Sequence, residues 1–138
     1  MVKKELITMS PLRILEKSSH GGVSNGNIGV IAAKKGVGKT ACLVHIATDQ
    51  LFQGKHVIHV SFSGNTQHII DWYEDIFSEI STRRHLESAM EVHDEIIKNR
   101  IIMNFIWQRI SIEEVAGRIR SIIKNGNYKV DYIIVDGY

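Results

Sequence analysis

The chain of 138 residues has a formal net charge of +2, is 43% hydrophobic and 23% charged, and contains one proline and eleven glycines. This composition excludes a fibrous or intrinsically disordered chain and fits one modest globular domain. No apolar run approaches the roughly 20 residues of a membrane span, and the N-terminus lacks the apolar centre of a secretory signal. Cys42 is the only cysteine. We therefore expect a protein of the reducing cytoplasm, with no membrane partner.

The first 26 residues are interpreted as an N-terminal segment and loop that precede the main domain, residues 27–138. Ser10 and Pro11 suit the cap and first turn of a short helix, and residues 18–27 are rich in turn-forming side chains. The apolar run "IGVIAA", residues 28–33, predicts a buried strand. From Lys39 onward the spacing becomes helical, and four apolar residues share one face: Leu43, Ile46, Ala47 and Leu51.

Three further strands alternate with helices in the rest of the chain. The predicted strands are "KHVIHVSF" (55–62), "RIIMNFI" (100–106) and "VDYIIVD" (130–136). Two helices are predicted between the first two of these strands. The first has the apolar stripe Ile69, Tyr73, Ile76, Phe77 and Ile80, and the second, over residues 82–99, has Leu86, Met90, His93 and Ile97.

A last helix is predicted after the strand "RIIMNFI". Ser111 and Glu114 fit a capping box, and the helix continues with Val115, Ile119, Ile122 and Ile123 at helical spacing. Alternating strands and helices predict an α/β fold with a mostly parallel central sheet and helices on both faces.

The segment "AKKGVGKT", residues 33–40, matches the phosphate-binding loop G-x-x-x-x-G-K-[ST] except that Ala33 replaces the first glycine. Gly38 lets backbone N–H groups approach a phosphate, Lys39 can reach the β- and γ-phosphates, and Thr40 can offer its hydroxyl to Mg²⁺. The following helix directs its positive end at the anion. We expect the nucleotide to contact Ala33, Lys34, Lys35, Gly36, Val37, Gly38, Lys39, Thr40 and Ala41.

The second signal for a nucleotide site is an acidic residue near the other end of the sequence. Asp136 ends the apolar strand "YIIVD", and the carboxyl ends of parallel strands meet at one edge of a sheet, where ligands bind. Asp136 is therefore predicted to hold the water shell of Mg²⁺ beside Thr40. Lys39 and Asp136 are the two residues to which we assign catalytic roles.

These residues resemble the ATPase core of RecA-like P-loop NTPases, and most closely that of DnaB-type hexameric replicative helicases. "IAAKKGVGKTA" is similar to the phosphate loop of that family, in which an Ala-Ala pair commonly precedes the basic residue. The resemblance extends from about Asn27 to Tyr138. It implies ATP or ADP with Mg²⁺ as ligands, ATPase activity of a helicase-like kind, DNA or a replication protein as partner, and a homo-oligomer.

The chain departs from that family in two places. The resemblance implies a water-activating glutamate in the turn after the second strand, where this chain has Ser63. A serine hydroxyl is a poor general base at neutral pH, so we expect impaired hydrolysis. The resemblance also implies a further strand, a γ-phosphate sensor and DNA-binding loops after Asp136, so the fold is expected to be incomplete within these 138 residues. ATPase activity would then depend on parts beyond Tyr138.

Two alternatives remain open. "KKGVGKT" also resembles the phosphate loop of ParA/MinD-type ATPases, with Lys35 in place of a glycine, although that class implies an aspartate at the end of the second strand, where Ser61 and Ser63 stand. The other alternative is a degenerate RecA-like module that binds a partner without catalysis. The histidines form no Cys/His cluster typical of a zinc site.

Overall fold

The computed structural model describes residues 16–17, 21–84 and 89–137, without the side chains of 83 and 84. The helix predicted at Ser10 and Pro11 lies outside these residues, apart from Glu16 and Lys17, which are helical. From residue 39 onward the described elements are α1 (Lys39–Phe52), β1 (Val57–Ser61), α2 (Thr66–Arg84), α3 (Ala89–Lys98), β2 (Arg100–Asn104), a 3₁₀ turn (Trp107–Arg109), α4 (Ile112–Asn125) and β3 (Tyr132–Asp136).

The described strands form one parallel sheet in the order β2-β1-β3. Parallel strands need crossover connections, and α2 and α3 supply the first of these and α4 the second. Three of the four predicted strands are therefore confirmed, and the chain is an α/β protein with a small parallel sheet.

Side chains alternate between the two faces of the sheet, and each face carries its own apolar cluster. On the first face Val57 and Ile134 pack with α1, α2 and α3 through residues such as Leu51, Tyr73 and Ile96. On the second face Ile58, Val60 and Phe62 pack with Val115 of α4. Helices thus cover both faces, as the alternating pattern predicts.

The predicted strand over residues 28–33 is wrong for this structure. Residues 27–34 belong to no strand, and Ile28 and Val30 are 91% and 84% exposed. A strand needs a neighbour for its backbone N–H and C=O groups, and none of the three described strands pairs with this segment. An apolar run predicts burial only where the fold provides a surface to cover it.

The predicted helix over residues 82–99 is also corrected. Thr82 belongs to the end of α2, Leu86 lies outside the described residues, and α3 begins at Ala89. Its buried residues are Val92 and Ile96, whereas Met90 is 73% exposed. The sequence contains two possible stripes about one residue apart. The structure buries the aliphatic stripe, and His93 stays half-buried beside it, with its Nε2 2.8 Å from the Glu74 carboxylate.

Helices α2 and α4 follow the predicted patterns closely. In α2, Ile69 and Tyr73 are buried, and Ile76, Phe77 and Ile80 pack against the same cluster. In α4, the Ser111 hydroxyl accepts a hydrogen bond from the Glu114 N–H at 3.2 Å, as a cap should. Of the predicted α4 stripe, only Ile123 is largely exposed, at 39%. None of the described helices combines the length and apolarity that crossing a bilayer would require.

Candidate functional site

The glycine-lysine segment forms an exposed loop that leads directly into α1. Gly36 and Gly38 both have positive φ angles, 87° and 93°, which glycine adopts without the steric penalty of a Cβ atom. Lys39 folds back across the loop, and its Nζ donates a hydrogen bond to the Ala33 carbonyl oxygen at 2.8 Å. This hydrogen bond joins the two ends of the loop, and residues 34–38 between them are exposed.

The N-terminus of α1 has the features that allow a helix to receive an anion. Gly38 caps the helix without a side-chain hydrogen bond, and no acidic residue lies in the first turn. The first helical bond runs from the Cys42 N–H to the Gly38 carbonyl oxygen. The preceding N–H groups of residues 39–41 therefore have no partner within the helix, and the helix dipole adds a positive potential at the same place.

Topology places this loop at the carboxyl edge of the sheet. Only residues 53–56 separate α1 from β1, so the C-terminal end of α1 lies at the amino end of β1. A helix of 14 residues is about 21 Å long, and a five-residue strand spans about 17 Å. Because α1 packs along the sheet, through Val44, Ala47 and Leu51, its N-terminus lies toward the edge at which β3 ends with Asp136.

A row of polar residues marks this edge. The strand register places Ser61 of β1 directly between Asn104 of β2 and Asp136 of β3, so all three side chains occur on one face of the sheet. Ser61 is buried, and Asn104 and Asp136 are half-buried. The backbone continues the pairing, because the Phe62 N–H donates to the Asp136 carbonyl oxygen at 3.1 Å. Asp136 is therefore held at a fixed position beside Ser61.

Ser63 serves the turn that connects β1 to α2. Its hydroxyl lies 3.0 Å from the Ser61 hydroxyl and accepts a hydrogen bond from the Asn65 N–H at 3.3 Å. In the same turn Asn104 accepts from the Gly64 N–H at 3.2 Å. These contacts give the Ser63 hydroxyl a structural role, which agrees with its chemistry as a poor base.

A buried histidine lies one row behind the polar edge, on the same face of the sheet. His59 is fully buried, and its Nδ1 is 2.7 Å from the hydroxyl oxygen of Tyr73 in α2. Burial is the main cause that lowers the pKa of His59 to about 4. The charge of Asp136 has a smaller, raising effect on this pKa, and the charge of Arg100 lowers it further. The imidazole is therefore neutral at physiological pH. Burial likewise raises the pKa of Tyr73 above its usual range, so its hydroxyl keeps its proton.

Thr40 and Asp136 have the oxygen donors that Mg²⁺ prefers. Magnesium in nucleotide sites usually keeps several waters and uses one or two carboxylates together with the phosphates. Such a site needs no dense protein cage, and within the described ranges no group of three or more His, Cys, Asp or Glu side chains is arranged to hold a metal ion. The donor set therefore fits a magnesium–phosphate complex and does not fit a free-standing metal centre.

The structure also brings together polar residues that belong to no short sequence motif. Ser61, Asn104 and the His59–Tyr73 pair depend on strand register and on the packing of α2, which no short motif encodes. The sequence pattern that could have indicated them is the alternation along β1, which places Val57, His59 and Ser61 on one face.

Comparison of the chain with protein-family models, with curated proteins and with solved structures gives no match.

Proposed function

We propose that this chain is a Mg-nucleotide-binding domain of the RecA-like P-loop type, with ATP or ADP as its ligand. The observation that carries the proposal is the closed loop at the start of α1. Two glycines with positive φ lie there, and Lys39 bridges back to Ala33 at 2.8 Å. A loop of this kind, opening a helix at the carboxyl edge of a parallel sheet, is suited to cradle phosphates.

Each residue of the proposed site has a distinct role. The N–H groups of residues 36–41 would receive phosphate oxygens, and the Lys39 ammonium would exchange the Ala33 carbonyl for them. Thr40 and Asp136 would hold Mg²⁺, Thr40 through its hydroxyl oxygen and Asp136 through hydrogen bonds from metal-bound water. When bound, Mg²⁺ would neutralise charge on the phosphates.

The open edge of the sheet agrees with the proposal of a RecA-like fold. The resemblance implies a further strand between the metal-binding strand and the loop strand. In the described sheet β3 is an edge strand, so one of its edges is open to such a strand.

A second candidate function is a partner-binding module that retains the fold without catalysis. The engagement of Ser63 in the β1–α2 turn favours it, because the position at which the resemblance implies a catalytic base is occupied by a structural hydroxyl. Both candidates bind nucleotide and turn it over very slowly. Binding of a protein or DNA partner by the chain would favour the second candidate.

The metal part of the proposal is tested by measuring ATP affinity with Mg²⁺ and with EDTA. We expect Asp136→Asn to remove most of the gain in affinity that Mg²⁺ gives, while the affinity in EDTA stays within about twofold, because only the carboxylate orders the metal waters. Asp131→Asn is the matched control, since Asp131 lies at the other end of the β3 segment and bonds to the His56 N–H at 2.9 Å. An equal loss of affinity in both media for Asp136→Asn would make Asp136 a structural residue and remove the metal site.

A further inference from the structure

Residues 28–33 and strand β3 both present apolar side chains to solvent. Ile28 and Val30 are 91% and 84% exposed, and Ile133 and Val135 of β3 are about half exposed. Among the described strands β3 pairs with β1 alone, so alternate residues along its other edge direct their backbone N–H and C=O groups away from the sheet. An unpaired edge of this kind is a template for a further strand.

The beginning of this segment lies beside the first residue of β3. The Tyr132 hydroxyl donates a hydrogen bond to the Val23 carbonyl oxygen at 3.1 Å. Val23 in turn packs against Gly29, since a Cβ atom built on Gly29 would lie 2.6 Å from the Val23 Cγ2 atom. Val23 therefore connects Gly29 to Tyr132 at the amino edge of the sheet.

The end of the segment lies toward the opposite edge. The Ala33 carbonyl oxygen accepts the hydrogen bond from Lys39, and Lys39 begins α1, whose N-terminus lies toward the edge at which β3 ends. The chain from Gly29 to Ala33 therefore runs in the same direction as β3 from Tyr132 to Asp136. The two stretches have the same number of residues, so a parallel pairing can align them end to end.

The side chains agree with this register. It places three apolar pairs side by side: Val30 with Ile133, Ile31 with Ile134, and Ala32 with Val135. Strands of parallel sheets are typically apolar on both faces, and the segment "GVIAA" has no polar side chain. Pairing would also place Val30 beside Ile133 on the second face of the sheet, where both are exposed in the structure.

The Lys39–Ala33 hydrogen bond connects this pairing to the phosphate loop. In the structure the Ala33 carbonyl is bound by the Lys39 ammonium at 2.8 Å, and this ammonium is the group that we assign to phosphate oxygens. Phosphate binding would release the carbonyl for a strand partner. It would also order the loop, which reduces the conformational entropy that the adjoining residues still have to lose when they pair.

From these contacts we infer that residues 28–33 are a strap that closes on the open edge of β3, as a fourth parallel strand, when the loop binds phosphate. The inference rests on the proposed function for its trigger. The resemblance implies a further strand at this edge, and the strap is the described segment placed to take that position. Because the strap pairs in the bound state, closure and nucleotide affinity are coupled.

Closure is measured by amide hydrogen exchange of the whole wild-type chain, with and without Mg·ADP, at two protein concentrations. We expect the amides of residues 29–33 and the outward-facing amides of β3 to exchange at least about tenfold more slowly with Mg·ADP, to the same extent at both concentrations. Protection that grows with protein concentration would overturn the inference, because the added strand would then come from a second copy. Protection of residues 29–33 without protection of β3 would also overturn it.

The register is measured with cysteine pairs in a Cys42→Ala background. Neighbouring strands lie about 4.8 Å apart, which suits a disulfide, so Val30→Cys with Ile133→Cys tests the aligned pair. The matched control is Val30→Cys with Val135→Cys, which is two residues out of register. We expect Mg·ADP to speed disulfide formation about tenfold more in the aligned pair than in the control. Equal effects on the two pairs would overturn the proposed register.

The two possible failures are distinct. If the wild type binds Mg·ADP and the amides of residues 29–33 exchange at unchanged rates, the strap is overturned and the proposed function stands. If the wild type does not bind Mg·ADP, the proposed function fails, and with it the phosphate-driven closure.

Discussion

At the scale of single residues, a neutral histidine inside the sheet links the core to the candidate site. His59 touches Tyr73 of α2 and lies in the field of Arg100 on β2 and Asp136 on β3. Burial is the strongest of these influences, and it disfavours the charged ring. This buried imidazole therefore makes the stability of the fold dependent on pH.

The expected dependence follows from the lowered pKa of His59. The unfolded chain takes up a proton on this ring below about 6.5 and the folded chain only below about 4, so the unfolded state binds more protons between these values. The stabilising contribution is complete above pH 6.5 and is lost as the pH falls toward 4. The gap between the two pKa values corresponds to roughly 3 kcal/mol.

This pH effect is checked by urea unfolding at several pH values between 7 and 4, for the wild type and for His59→Gln. We expect the free energy of unfolding of the wild type to fall more steeply than that of the variant, in which the ionisable ring is absent. Parallel curves for the two proteins would mean that His59 titrates normally and is accessible to water.

At the scale of elements, most helices and strands could be predicted from the sequence. Which face of each element is buried, and against which neighbour, could be predicted less well. Ser111 and Glu114 predict the start of α4, and "YIIVD" predicts β3, because helix caps and apolar runs depend only on residues close in the chain. The buried face of α3 could not be chosen from spacing alone, since Val92 with Ile96 and Met90 with Ile97 are both helical pairs. The contact of His59 with Tyr73 joins residues 14 apart in the chain and depends on how α2 packs.

The corrected segment, residues 28–33, gives a prediction at this scale. Val30 is 84% exposed and Val60 is 1% exposed, so the same substitution to alanine should have very different costs. We expect Val30→Ala to change the free energy of unfolding by less than about 0.5 kcal/mol and Val60→Ala to lower it by about 2 kcal/mol. Thermal or urea unfolding measures both. A comparable loss for Val30→Ala would show that this segment is buried as a strand in solution.

At the scale of the whole molecule, we expect the chain to bind nucleotide but to hydrolyse ATP very slowly. The loop contacts are ground-state contacts to phosphates, whereas the resemblance implies a water-activating glutamate where the chain has Ser63. Loss of a general base costs about 10²–10⁴-fold in rate.

We therefore expect phosphate release from ATP by this chain to be near background, and far below the order of 1 s⁻¹ that is ordinary for enzymes. A steady-state phosphate assay on DNA-free protein measures it, with Lys39→Ala as the control for contaminating activity. Turnover of about 1 s⁻¹ that Lys39→Ala abolishes would mean that another residue acts as the base.

Binding of nucleotide phosphates by the loop before α1 is tested most directly by calorimetric titration with Mg·ADP. Lys39→Ala removes the ammonium that closes the loop on Ala33, and Lys124→Ala, the control, removes an exposed charge from the last turn of α4. The structure predicts that the wild type and Lys124→Ala bind with affinities within about threefold, whereas Lys39→Ala, which loses a charge-assisted bond worth roughly 1.5–3 kcal/mol, binds at least about tenfold more weakly. Equal affinities for the wild type and Lys39→Ala, or no binding by the wild type, would contradict the account.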